Sequence, residues 1–408
     1  MSDATQPASS LSLSPNPSEL AELIKQAARH LGFDFASVAP YEPPPHADTF
    51  PDWIANDYHG TMAWLAKHPD RRMDPRVQWP QGKSVLSVGM SYHQPRPMDA
   101  PDPADPSRGR FASYAWGFDY HDLILPRLKA LGKAIDYLAG RVVNARAYVD
   151  TGPILERPLA AAGGAGFIGK HTLLIHWKHG SYFLLGELLL DLELPSDPAR
   201  KPLFGCRDCH SCGTSCPTGA LDTPYLNRAN RCISYLTIEH RGILPRNLRS
   251  ELRNWVFGCD ICQQACPYNT RGLLPTREPW FEPRIPDWGA PPLLELIALD
   301  DDQFGAMFKG SPVKRTKRRG LLRNVAVALG NWGSDEAIPA LKRVMEDEPE
   351  PLIRAHAAWA LGQLSEYPAV RVVLDRAFKH ETDEIVLEEI NTSLDHGIHG
   401  INGTTEKN

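Results

Sequence analysis

Cys206-Arg-Asp-Cys209-His-Ser-Cys212-Gly-Thr-Ser-Cys216-Pro217 spaces its thiols as C-x2-C-x2-C-x3-C-P. This is the bacterial ferredoxin run. Three thiolates on one tight loop hold three irons of a cubane, and the fourth cysteine turns away to a second cluster. Cys259, Cys262 and Cys266-Pro267 repeat the ending of the motif, with Cys232 detached upstream. By this logic Cys206, Cys209, Cys212 and Cys266 hold one [4Fe-4S] cluster, and Cys216, Cys232, Cys259 and Cys262 hold the other. Eight ligands for two cubanes leave no thiol over. Zinc sites favour paired C-x2-C units and do not require the longer run.

All eight cysteines lie between Cys206 and Cys266 of a 408-residue chain. A disulfide framework would spread them through a small secreted domain, so the thiols read as metal ligands. At about 100–200 residues per domain the length allows two to four domains. Hydrophobic residues make up 42%, which supplies proper cores and excludes global disorder. The net charge of −5 excludes the whole chain as a polyanion binder but leaves room for a local basic patch. No stretch approaches the ~18–20 apolar residues that span a bilayer. The first seventeen residues have neither a basic nor an apolar segment of the secretory kind. The expectation is a cytoplasmic protein with no membrane role, acting as a monomer.

Outward from the cysteines, the chain falls into blocks. Residues 1–17 read as a disordered polar tail and 18–200 as an α/β or α+β region. Asn16-Pro17-Ser18-Glu19 has the form of a capped helix start. Ser84–Tyr92 reads as a buried strand and 121–139 as an amphipathic helix. Ala145–Val149 reads as a short strand, and Thr172–Trp177 with Tyr182–Leu190 as a hairpin through Lys178–Ser181. Residues 201–275 form the two-cluster region and 276–318 a Pro-rich, basic linker. Over 319–400, Val325-Ala-Val-Ala-Leu-Gly330 recurs as Ala357-Ala-Trp-Ala-Leu-Gly362. A repeat at this period marks an all-α solenoid of HEAT-like units.

Three motifs are set aside. Gly164-Ala-Gly166-Phe-Ile-Gly169 matches a dinucleotide fingerprint, but it follows a helical segment and precedes a strand, the reverse of what that site needs. Gly164-x4-Gly169-Lys170-His171 lacks the Ser or Thr of a P-loop. Asp150-Thr151-Gly152 has no second copy to form an aspartic dyad, and by itself reads as an Asx turn closing a strand. The basic stretch is more informative. No acidic residue occurs from Gln303 to Ser334, where Lys309, Lys314, Arg315, Lys317, Arg318, Arg319 and Arg323 stand. It reads either as a polyanion footprint or as a solvated linker.

Taken together, Tyr114-Ala-Trp-Gly-Phe-Asp-Tyr-His121, Val149-Asp-Thr-Gly152, Gly169-Lys-His-Thr172, the two cysteine sets, Ser234–Arg241 and Ser311–Gly320 resemble the epoxyqueuosine reductases over roughly residues 18–400. These are cobalamin-dependent iron–sulfur enzymes of queuosine synthesis in tRNA. The resemblance implies an N-terminal mixed α/β corrinoid-binding domain, a ferredoxin-like two-cluster domain and C-terminal HEAT-like repeats. It implies cofactor contacts at Arg72, Asp150, Gly169, Lys170, His171 and Thr172. It makes Asp150 the proton donor, with a pKa raised by burial against the corrinoid. It also implies an external low-potential electron donor, and a tRNA anticodon stem-loop clamped by Lys309, Lys314, Arg315, Lys317, Arg318, Arg319 and Arg323. The alternatives are a corrinoid reductase of a small molecule and a non-catalytic electron-transfer adaptor.

Overall fold

The structure, a computed structural model, describes residues 15–200, 205–270 and 272–400, with side chains to residue 395. Most of the expected N-terminal tail and the polar residues 401–408 lie outside the described residues. The first helix, Pro17–His30, begins as its sequence dictates. The Asn16 side chain accepts from the backbone of Ser18 and Glu19, and Glu19 reaches back to the Asn16 N–H. Such a cap stabilises a helix by about 1 kcal/mol.

Eight strands occur among the described residues: β1 (Phe35–Pro40), β2 (Ser84–Ser91), β3 (Arg110–Phe111), β4 (Ala145–Tyr148), β5 (Phe167–Ile168), β6 (Leu174–Ile175), β7 (Phe183–Leu190) and β8 (Trp255–Phe257). The main sheet runs β1-β2-β7-β4, and every pairing in it is antiparallel. This makes the N-terminal region α+β. β2 is central and buried along its whole length. Successive side chains leave a strand on opposite faces. Leu86, Val88, Met90, Leu188 and Leu190 therefore pack under the helices Pro17–His30 and His121–Ala139, while Val85 and Leu189 pack with Leu159 of the helix Glu156–Ala162.

The structure departs from the sequence reading in three places. The hairpin of Thr172–Trp177 with Tyr182–Leu190 does not form. β6 pairs with β5, β7 pairs with β2 and β4, and only a bridge from His176 to Gly180 remains. Apolar alternation specifies a strand and its face but not its partner. Second, 276–318 is not a linker. It holds the helices Leu293–Ile297 and Asp301–Met307, and Leu293, Phe304, Phe308 and Val313 are core residues. Several of its prolines open short helical turns, as at Pro279, Pro286 and Pro312, a position where the missing N–H costs nothing. Third, the blocks are not separate. β3 pairs in parallel with β8, carrying residues 110–111 into the cysteine region. One core then runs from Phe111 through Trp255 to Ile390.

The C-terminal helices Lys317–Trp332, Ile338–Asp347, Pro351–Gly362, Pro368–His380 and Glu384–Gly400 stack as successive repeats. The recurring glycine has a packing cause. A Cβ on Gly330 would lie 2.9 Å from the Ala360 backbone, and one on Gly362 would lie 2.6 Å from Ser393 Oγ. Each repeat thus places its glycine where the next repeat's helix crosses closest.

Candidate active site and cluster region

The sheet delivers Asp150 from the end of β4. Its backbone is left-handed, at φ 49°, a conformation that costs a non-glycine residue about 1 kcal/mol or more. Two donors meet its carboxylate. The Tyr120 hydroxyl donates to Oδ2, and His121 Nε2 stands 2.9 Å from Oδ1. The other ring nitrogen of His121 stands 2.7 Å from Asp119 Oδ1. Held first by Asp119 and then by Asp150, the imidazole is pushed up to about 10 and is a cation at neutral pH. The Asp150 N–H donates to Glu156 Oε1 at 2.7 Å. Burial, and then the nearby Asp150, raise the Glu156 carboxyl to about 7.

The burial expected for Asp150 itself is not supplied by the protein, since its side chain is 48% exposed. Of its neighbours, Tyr120 is buried and Glu156 half-buried, while Arg157 is exposed. Arg315 stands near Asp150. It binds Glu239 at 2.5 Å, lies 5.7 Å from the exposed Trp64 ring, and is raised first by Glu239 and to a lesser degree by Asp150 and Tyr120.

Arg72 flanks the Asp150–Gly152 segment. Its guanidinium donates to Gly152 O and Trp64 O, each at 3.3 Å, and its buried Nε has no partner. On the other flank, Gly169–Thr172 forms a turn with Thr172 left-handed at φ 67°. His171 is buried, its Nε2 has no partner, and burial followed by Arg157 depresses it to about 4. Lys170 N–H points at Cys206 Sγ, 3.4 Å away. Thr172 O accepts from Arg157 at 2.6 Å. A single four-residue turn therefore touches the first cysteine at one end and Arg157, next in sequence to Glu156, at the other.

The fold brings the eight thiols into one neighbourhood. Cys206, Cys212 and Cys209 act on Cys266. Cys216 acts on Cys232, Cys232 and Cys262 act on Cys259, and Cys232, Cys212 and Cys216 act on Cys262. Cys206, Cys209, Cys212 and Cys266 line one cavity of about 390 Å³ with Lys170 and Pro267. No three His, Cys, Asp or Glu side chains among the described residues close on a single-ion site. In a cubane, by contrast, each thiolate binds its own iron. An all-thiol donor set of eight fits two such clusters.

The basic stretch is only partly a surface. Arg323 is fully buried, against expectation. It donates to the carbonyls of Leu236, His240 and Gly242 and to Asn324 Oδ1, and burial lowers it to about 9. It is a strut and is not available to phosphates. Arg318 is bound bidentately by Glu348 at 2.5 and 3.0 Å, and Arg319 stands 3.5 Å from Glu350. Lys309, Lys314, Arg315, Lys317 and Arg319 remain exposed. The absence of acids from 303–334 thus holds along the chain but not in space. Arg246 and Arg249 pair with Glu389.

Sequence reasoning missed Tyr120, His121, Glu156 and Arg157 as members of the site. Asp119-Tyr-His121 was the available signal: an acid and an imidazole at the head of a helix that the sheet turns toward β4.

A cluster-binding region joined to an acid–base group around Asp150, with a helical-repeat domain sharing its core, defines the class: a two-cluster iron–sulfur oxidoreductase. Comparisons narrow it. A family model described as "Epoxyqueuosine reductase QueG, DUF1730" matches residues 72–151, one for a 4Fe-4S double cluster binding domain matches 205–269, and one for HEAT repeats matches 317–395. The epoxyqueuosine reductase of Escherichia coli is 41% identical over 345 residues, 85% of this chain and 89% of that protein. The Pseudomonas aeruginosa enzyme is 40% identical, covering 85% and 95%. A crystal structure of epoxyqueuosine reductase with an epoxyqueuosine-modified tRNA-Tyr stem loop superposes with TM-score 0.84 at 28% identity, over 93% of this chain and 99% of that one. The chain belongs to the epoxyqueuosine reductase family.

Proposed function

We propose that this protein reduces epoxyqueuosine to queuosine at the wobble position of tRNA, with cobalamin held against Asp150 and two [4Fe-4S] clusters behind it. The observation that carries the reading is the Gly169–Thr172 turn, which joins Cys206 to the acid–base group around Asp150 through Lys170, Thr172 and Arg157. Converting an epoxide to an alkene takes two electrons and two protons and releases water. When bound, the clusters would supply electrons singly and the corrinoid would supply the reducing centre for the epoxide.

This chain's residues manage the protons. An alkoxide leaves poorly unless it is protonated. Asp150, on its left-handed turn, presents a half-exposed carboxyl group. Cationic His121 touches Asp150 Oδ1 and holds that side chain in place. Glu156 fixes the Asp150 backbone and titrates near neutrality. Cysteines 206, 209, 212 and 266 bind one cluster, and 216, 232, 259 and 262 the other. Arg72 and the Gly169–Thr172 turn hold the corrinoid, a role supported by the partnerless Nε of Arg72 and Nε2 of His171. Lys309, Lys314, Arg315, Lys317 and Arg319 contact the phosphates of the stem-loop, with Arg318 braced behind them. The exposed Trp64 beside Arg315 offers a face for a splayed base. No described helix is long and apolar enough to cross a membrane, and we assign the enzyme to the cytoplasm as a monomer fed by an external donor.

The test is substrate choice. Reduced, fully reconstituted protein is offered an epoxyqueuosine-modified stem-loop and, separately, a small aryl halide. Queuosine in the RNA is the expected product. Dehalogenation with untouched RNA would favour a small-molecule reductase instead.

A further inference from the structure

Away from Asp150, a second cavity of about 170 Å³ opens where β3 and β8 meet the cysteine region. Its wall includes Arg96, Arg110, Trp255, Asp260 and Gln264. Arg110 lies 4.1 Å over the Trp255 ring and donates to Gln264 Oε1 at 3.2 Å. Arg96 donates to the carbonyls of Trp288, Pro101 and Asp287. These are neutral partners. The nearby carboxylates are already engaged: Arg108 takes Asp105 and Asp287 at 3.8 and 2.6 Å, and Asp260 Oδ2 accepts from the Ser113 N–H at 2.7 Å. Among the described residues neither Arg96 nor Arg110 has a carboxylate within 4.0 Å.

Two donors on this wall are also idle. Trp255 is 1% exposed and its Nε1 has no partner, and the buried Nε of Arg96 has none. An unsatisfied buried N–H costs about 1–3 kcal/mol, and an uncompensated buried charge costs more. Water could satisfy the N–H groups but would leave both guanidiniums without a carboxylate in contact, since Asp260 acts on Arg110, and Asp102 and Asp287 on Arg96, only from beyond 4.0 Å. An oxyanion answers both needs, since it brings charge and several acceptors to a site too small for a nucleotide.

We propose that this cavity binds a small oxyanion, a phosphate or a carboxylate, separately from the corrinoid and RNA sites. Asp260 and Gln264 belong to the loop that carries Cys259, Cys262 and Cys266. The anion therefore rests against the cluster-bearing loop, where its charge would oppose reduction. The site does not depend on the identity of the substrate.

Calorimetric titration of the full, cluster-loaded protein tests this, using inorganic phosphate in one arm and malonate in the other at ionic strength held constant with chloride. One saturable site for at least one of them is expected, about tenfold weaker in Arg96→Gln and in Arg110→Gln. It should be unchanged in Lys309→Ala/Lys314→Ala. Phosphate alone binding identifies a phosphoryl ligand, and malonate alone a carboxylate. Trp255→Phe, which keeps most of the packing volume, provides a second reading and should also weaken binding. Absence of saturable binding in both arms overturns the proposal. So does binding that survives in the arginine variants but disappears with Lys309 and Lys314.

Discussion

The cysteine region and the basic stretch both announce themselves in the sequence, yet the fold treats them differently. The cysteines stay together in space: Cys206, Cys209 and Cys212 meet Cys266 around one cavity. The seven basic residues from Lys309 to Arg323 do not act alike. Arg323 is consumed by the core, Arg318 is clamped by Glu348, and the others stay near the surface. Ligand spacing is a local constraint, because thiols two and three residues apart cannot avoid one another. A charge run has no such constraint. Its meaning is set by whichever carboxylates and carbonyls the rest of the chain brings to it, here Glu239, Glu348 and Glu350.

The sharpest way to strain this contrast is at the chemical end. Asp150→Asn should lower turnover about 10²–10⁴-fold, the usual worth of a positioned acid, while iron content and RNA affinity hold. Near-normal turnover would remove Asp150 from the proton path.

Next comes the strut. Arg323→Ala leaves three carbonyls, that of Leu236 buried, without their donor and should cost about 3 kcal/mol of stability, read as a lowered denaturation midpoint. If it leaves stability intact and weakens tRNA binding instead, the residue belongs to the surface after all.

Lys314→Ala/Lys317→Ala should do the opposite. Stability should change by less than about 0.5 kcal/mol, while the slope of log affinity against log salt should fall by about one for each phosphate that is no longer neutralised. An unaltered slope would confine RNA binding to other surfaces.

The smallest effect concerns His121. Its pKa is raised in the fold, to about 10, first by Asp119 and then by Asp150. The stability it contributes is therefore complete below its unfolded value of about 6.5 and is lost as pH rises through about 10. The gap in stability between wild type and Asp119→Asn should narrow over that window. A constant gap would place the contribution of Asp119 elsewhere.

Much of the fold was legible in the sequence. The helix of 121–139, the buried strand from Ser84 and the repeat ending in Gly330 and Gly362 follow from periodicity and from close approach. Strand partners were not legible, because β6 has the same apolar pattern whether it meets β5 or β7. Nor was the shared core, since the prolines of 276–318 suggest a linker until their place at helix starts is seen. At the site, resemblance pointed to Asp150, but only the sheet brings His121 from 29 residues away to its carboxylate. The burial expected for Asp150 against a corrinoid is not supplied by the protein alone, which leaves its side chain 48% exposed.

The central claim is that reducing power crosses from the thiol-bound clusters to a corrinoid beside Asp150 and is spent on an RNA epoxide. The most direct measurement is queuosine formed in an epoxyqueuosine-containing stem-loop, followed by mass spectrometry, with anaerobically reconstituted, reduced protein in the presence and absence of cobalamin. The account predicts product only when cobalamin is present. Equal product without it would contradict the account.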